Sequence, residues 1–141
     1  MLKLFLILVL FIGTLFATDA KEAAKRLGVE NNFATALKKA ENEKKILIMV
    51  VVKEGCRWCD KLVYSTFVAP EVKNELKKYI TLIIDKDDNY PKDFKGNFFP
   101  SIYYIDYTSH KSIYENIGYV GKKDFLTDLS ESFKTRNELY K

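Results

Sequence analysis

The 141-residue chain has one histidine, two cysteines, three prolines and six glycines. Each shortage excludes something. An ordinary zinc centre takes four ligands, and His110 with two cysteines cannot supply them. The two cysteines need not be structural either, because a chain of this length buries a sizeable core without staples. Internal repeats, low-complexity tracts and long linkers are missing, so the chain reads as one domain behind its first segment. No block of five like charges occurs, and the net charge of +4 is spread along the sequence. Nothing marks a nucleic-acid surface. Asp85, Asp87 and Asp88 lack the glycine and closing glutamate of a calcium loop and read as a solvated turn.

What is there begins with residues 1–17. Lys3 gives a positive tip, Leu4 to Phe16 is apolar but for Gly13 and Thr14, and Ala17, Thr18 and Ala20 are small. This is the pattern of a secretory signal peptide, with cleavage expected after Ala17, or alternatively after Ala20. The apolar run is short for a membrane span of about 20 residues, so an uncleaved anchor is the lesser reading. No cysteine follows the run to take a lipid. Residues 18–141 are then the domain. In a bacterium they are delivered to the periplasm, where protein disulfides form and persist.

The domain alternates helical and extended patterns. Residues 32–43 read as a helix, with Phe33, Leu37 and Ala40 at helical spacing and Asn31 or Asn32 as its cap. Ile46 to Val52 is a continuous, β-branched apolar run, which suits a central strand covered on both faces. A helical stripe follows at Cys59, Leu62, Val63 and Phe67, and Pro70 opens a further helical piece carrying Val72, Leu76 and Tyr79. Strands are expected at Ile80–Ile84, Ser101–Asp106 and Ile113–Tyr119. A last helix after Gly121 is expected to bury Phe125, Leu126, Leu129 and Phe133. The many tyrosines fit strand propensity, and some are candidates for an exposed partner surface. The order is βαβ, then ββα.

Cys56-Arg57-Trp58-Cys59, between a buried strand and a helix, is the strong chemical signal. Cys56 is placed at a helix N-terminus, where unpaired N–H groups and the helix dipole favour a thiolate. The thiolate is the form that attacks a disulfide. Cys59 lies one turn on, on the apolar stripe, which suits a buried resolving thiol. Arg57 favours the Cys56 thiolate, while Glu54 and Asp60 oppose it. Trp58 either presents an apolar surface to a protein substrate or packs beside Phe99 or a tyrosine. Two other readings of the pair stay open. It is a static disulfide, although so short a loop gains little unfolded-state entropy. Or it is a pair of thiolates for the soft ion Cu(I), in a non-enzymatic carrier.

With the strand ILIMVVV, Gly55, the Cys-x-x-Cys pair, the run CDKLVYSTFVAPEV, the strand TLIID, Phe99-Pro100-Ser101 and the 118–121 region, residues 31–136 resemble the thioredoxin superfamily, in particular exported bacterial thioredoxin-like proteins. The resemblance implies an α/β thioredoxin-like fold with a central mixed sheet flanked by helices. It implies a cis bond before Pro100, in a loop that faces the cysteines and pairs with an extended substrate chain. Arg57, Trp58, Phe99 and Pro100 become candidate substrate contacts, and Cys56 and Cys59 the catalytic pair. The activity implied is thiol–disulfide exchange with cysteine-bearing proteins, leaning to reduction because no helical insertion is present. It requires no cofactor or metal, and a second, membrane-linked protein resets the pair. There are departures. Val50 stands where thioredoxins carry a buried acid, Thr81 where they carry its partner lysine, and Arg57-Trp58 replaces Gly-Pro. The proton step is left to Glu54, Asp60 or water.

Overall fold

Strand β1, Leu47–Val52, is buried along its whole length. It pairs in parallel with β2, Ile80–Asp85, and antiparallel with β3, Ser101–Ile105. Strand β4, Ser112–Ile117, pairs antiparallel with β3, giving the order β2-β1-β3-β4. This computed structural model describes residues 19–141. The expected leader, residues 1–17, lies outside them. Among the described residues no helix is long and apolar enough to cross a membrane.

Successive strand residues point to opposite faces, so the sheet sorts its side chains into two cores. Ile48, Val50, Val52, Ile83, Ile102 and Tyr104 face one core together with Cys56, Cys59, Phe67, Phe125 and Leu129. Leu47, Met49, Val51, Leu82, Ile84 and Ile105 face the other, under Ala36 and Ala40. This mixed sheet flanked by helices is the expected α/β architecture.

Helix α1, Ala20–Leu27, has no counterpart in the sequence reading. Its signals are nonetheless local. Asp19 Oδ1 accepts from the Lys21 and Glu22 N–H groups, and Ala20, Ala23 and Ala24 form a narrow buried stripe. Gly28, at φ +67°, closes the helix in the left-handed region that glycine adopts without penalty. Ala20, one of the small residues of the expected processing signal, belongs to this stripe. Helix α2, Phe33–Glu43, starts on Asn32, whose side chain accepts from Thr35 N–H at 2.9 Å. Asn31 instead donates to Ile83 O, fastening the loop to β2.

Helix α3, Arg57–Lys61, continues into a π-helical turn at Leu62–Thr66, and α4, Pro70–Leu76, begins on its proline. Strand β4 stops two residues earlier than expected. Gly118, at φ +99°, turns the chain there, and its N–H donates to Pro100 O at 2.8 Å.

Helix α5, Lys122–Leu139, corrects the expected buried face. Phe125 and Leu129 are buried and Leu126 partly so, but Phe133 is 55% exposed. Asp128 and Ser132 are buried in its stead. The reason is the tyrosines beneath. Tyr114 donates to Asp128 Oδ1 at 2.7 Å and Tyr79 to Leu129 O at 2.7 Å, so this face must offer acceptors. Tyr103 and Tyr104 are likewise buried rather than displayed.

Candidate functional site

The register puts the chemistry at one end of the sheet. Val51 pairs with Ser101 and Ser101 with Ile117, so the end of β1, the start of β3 and the end of β4 lie side by side. The loop Lys53–Gly55 leaves β1 at that end and delivers Cys56 to the start of α3. Gly55, at φ +70°, makes the turn that a side chain would strain.

Cys56 is the N-cap residue of α3. Its sulfur accepts from Cys59 N–H at 3.2 Å. That N–H is among those a helix start leaves without an internal partner, and it would favour a thiolate on Cys56 when the pair is reduced. Cys56 and Cys59 are joined by a disulfide, with Cα atoms 5.2 Å apart. The two sulfurs therefore face each other. Cys56 is the outer of the two, 6% exposed against 0% for Cys59.

Opposite Cys56 stands the loop before β3. The Phe99–Pro100 peptide bond is cis, and Phe99 O lies 3.7 Å from Cys56 Sγ. Pro100 is buried and Phe99 half-buried, while Phe98 beside them is 73% exposed. Lys53 Nζ lies 5.7 Å from the Phe99 ring centroid.

Trp58 does both things the sequence left open. It stacks on Tyr119, ring centroids 5.6 Å apart, and it remains 50% exposed. Lys61 Nζ covers both rings, at 5.2 and 4.8 Å. Arg57 points to solvent. Thr66 Oγ1 donates to Val120 O at 2.8 Å and holds the Tyr119 segment against the helix. Cys56, Cys59, Trp58, Phe99 and Pro100 are thus gathered at one end, and Arg57 at its rim. Tyr119 is the tyrosine expected beside Trp58, while Phe98, Lys61 and Ile117 were not expected as neighbours. The adjacent aromatics Phe98-Phe99 before a proline were the available signal for the first. The others depend on register and helix phase.

The charges near the pair are not equivalent. Glu54 is exposed. Burial pushes the Asp60 carboxyl above its ordinary value, so it is a weaker standing anion than its formula suggests. The position of thioredoxin's buried acid is filled by Val50, which is fully buried among apolar neighbours. No group of three or more His, Cys, Asp or Glu side chains is gathered for a metal ion among the described residues. His110, at φ +60°, lies in the β3–β4 turn, its Nε2 2.7 Å from Glu41 Oε1. A crevice of about 450 Å³, lined by Leu27, Phe67, Leu76 and Tyr79, opens at the other end of the sheet, where β2 begins.

Comparison with solved structures gives the architecture its name. A thioredoxin from Thermus thermophilus superposes with a TM-score of 0.65 at 14% identity, over 73% of this chain and 85% of that one. The chain has the thioredoxin-like fold. The oxidised C-terminal domain of DsbD from Neisseria meningitidis shares it, with a TM-score of 0.56 at 17% identity over 74% of this chain and 99% of that domain. So does the periplasmic thioredoxin SoxS from Paracoccus pantotrophus, TM-score 0.53 at 15% identity, over 65% of this chain and 99% of that one. No protein-family model and no curated protein sequence matches the chain.

Proposed function

We propose that the protein is an exported thiol–disulfide oxidoreductase that exchanges disulfides with cysteine-bearing proteins. One observation carries the reading. A disulfide sits at the start of a helix with its outer sulfur beside an open strand-entry loop and its inner sulfur fully buried. In the reductive direction the Cys56 thiolate attacks a partner disulfide and one partner thiolate leaves. Cys59 then attacks the Cys56 sulfur, the second partner thiolate leaves, and the Cys56–Cys59 disulfide is formed. Two electrons pass from the dithiol to the partner, and a second protein must restore them.

Trp58, Phe98 and Ile117 are exposed on the three segments that meet at this end of the sheet. Apolar groups of this kind beside a reactive sulfur suit a protein partner held along the Phe99–Pro100 loop. The reductive direction is favoured because the described chain runs from β2 to β3 through one short 3₁₀ turn, with no helical insertion. Direction itself follows the potential of the pair against its surroundings.

The test is dithiothreitol-driven reduction of a protein disulfide. The native chain should accelerate it. Trp58→Ala should slow it roughly tenfold, the worth of one exposed aromatic anchor. It should leave reduction of a small aliphatic disulfide nearly unchanged. No acceleration by the native chain, with tight Cu(I) binding that Cys56→Ser removes, would replace the enzyme with a copper carrier.

Export to the periplasm rests on the leader pattern of residues 1–17. Cleavage after Ala17 keeps Asp19, the cap of α1, and the buried Ala20. Cleavage after Ala20 would remove both. The mass of the exported protein should therefore correspond to a chain starting at Thr18. A chain starting at Lys21, or one retaining the leader, would contradict this.

A further inference from the structure

Disulfide exchange makes no use of the crevice at the far end of the sheet. Its volume of about 450 Å³ lies in the range of small-molecule sites. Three segments meet there. Leu27 and Val29 come from the end of α1 and the turn after it, and Leu76 and Tyr79 from the end of α4 and the approach to β2. Phe67 comes from the chain just after the π-helical turn. Phe67 and Tyr79 are buried, while Leu27, Val29 and Leu76 are half-buried, so the floor is apolar and part of it meets water. The Tyr79 hydroxyl is already given to Leu129 O.

The rim is charged, and unevenly so. Lys39, Lys45, Lys73 and Lys77 stand against Glu30 and Glu43. Lys39 pairs with Glu30 at 3.1 Å and Lys45 with Glu43 at 3.0 Å, which occupies both acids. The acids of α4 are occupied too, Glu71 by Lys122 and Glu75 by Lys78. Lys73 and Lys77 are left without an ion-pair partner among the described residues. They stand four residues apart at the end of α4, a spacing at which like charges repel each other. Two unpaired cations over an apolar floor complement one kind of small molecule, an anion with an apolar body.

We propose that this crevice binds a free single-chain amphipathic carboxylate, with its head at Lys73 and Lys77 and its chain on the floor of Leu27, Leu76 and Phe67. A free molecule suits the site better than a membrane surface, because Glu30 and Glu43 flank the same mouth and the cavity is of small-molecule size. The site stands apart from the cysteines, and its occupancy does not depend on whether they exchange disulfides.

The test titrates the isotopically labelled native protein, recovered after export, with decanoate below its micelle-forming concentration, and follows the amides by NMR. Saturable shifts are expected at Leu27, Val29, Leu76 and Tyr79, with Trp58 and Phe98 unmoved. Decanol, the neutral alcohol of the same chain length, should bind about tenfold more weakly, the scale of losing ionic contact with two exposed lysines. Lys73→Gln combined with Lys77→Gln should weaken decanoate by a similar factor and erase the difference between acid and alcohol. Both lysines are exposed, so the fold should survive the change. Lys134→Gln, an exposed lysine of α5, should leave binding as it was. Shifts centred on Trp58 and Phe98, shifts that never saturate, equal binding of acid and alcohol, or full affinity in the double variant would overturn the proposal. So would sedimentation with anionic phospholipid vesicles that the double variant loses, since the lysines would then serve a membrane surface.

Discussion

Serine at position 56 is expected to abolish disulfide exchange, and serine at position 59 to stop it halfway. The two sulfurs are bonded to each other, yet they are not equivalent. Cys56 is the outer one, receives the Cys59 N–H and faces Phe99 O. Removing it removes the attacking atom, and turnover should fall by about a thousandfold or more, the scale on which loss of a nucleophile acts. Cys59→Ser leaves that atom in place but removes the group that resolves the intermediate. Incubation with an oxidised protein should then give a stable 1:1 mixed disulfide through Cys56, visible as a mass adduct and reversed by dithiothreitol. The same adduct on Cys56→Ser, through Cys59, would reverse the assigned roles. Serine nearly matches cysteine in size, so the fold should survive both changes.

The largest effect on stability is expected far from the cysteines, at Asp106. Its side chain is fully buried at the opposite end of the sheet. Arg136 Nε donates to it at 3.0 Å, and the Thr108 hydroxyl and the N–H groups of Thr108 and Ser109 donate as well. One carboxylate therefore ties the β3–β4 turn to the end of α5. Burial alone would push this carboxyl up, but the four donors outweigh it and bring it down to about 2. In the unfolded chain it titrates near 3.9. The stabilisation is thus complete above about pH 5 and lost as pH falls through 2, about 2–3 kcal/mol in all. Asp106→Ala should cost about 3 kcal/mol at pH 7, because it also strands Arg136 and the turn donors. Denaturant titration of both proteins checks it. Their difference should shrink between pH 4 and pH 2. A difference unchanged over that range would mean the carboxylate's charge is not what holds the turn.

Much of this organisation was legible in local sequence. The run from Ile46 to Val52 suited a central strand, being short, β-branched and without a polar face to show to water. Asn32 and Pro70 marked helix starts by chemistry that acts within three residues. Cys56-x-x-Cys59 identified its own site because one helical turn suffices to bring the sulfurs together. Helix α1 was overlooked because its stripe is alanine, too weak a periodic signal beside a strongly apolar leader. Phe133 was assigned to the core because hydrophobic spacing ignores what lies beneath. Tyr79 and Tyr114 reach under α5 and select polar acceptors there. The Trp58–Tyr119–Lys61 stack joins residues about sixty positions apart, and only the pairing of β3 with β4 brings them together. Asp60 was marked by its spacing from Cys56, but the burial of its Oδ1 is a property of the packed fold.

Exchange through this pair depends on a difference between two neighbouring sulfurs, and brief alkylation reads that difference directly. The disulfide is reduced, excess reductant is removed, and the folded protein meets iodoacetamide at pH 7 before peptide mass mapping. Label should appear on Cys56 faster than on a free cysteine, while Cys59 stays unmodified until the protein is unfolded. Equal labelling of the two, or a Cys56 that reacts no faster than an ordinary thiol, would contradict the account.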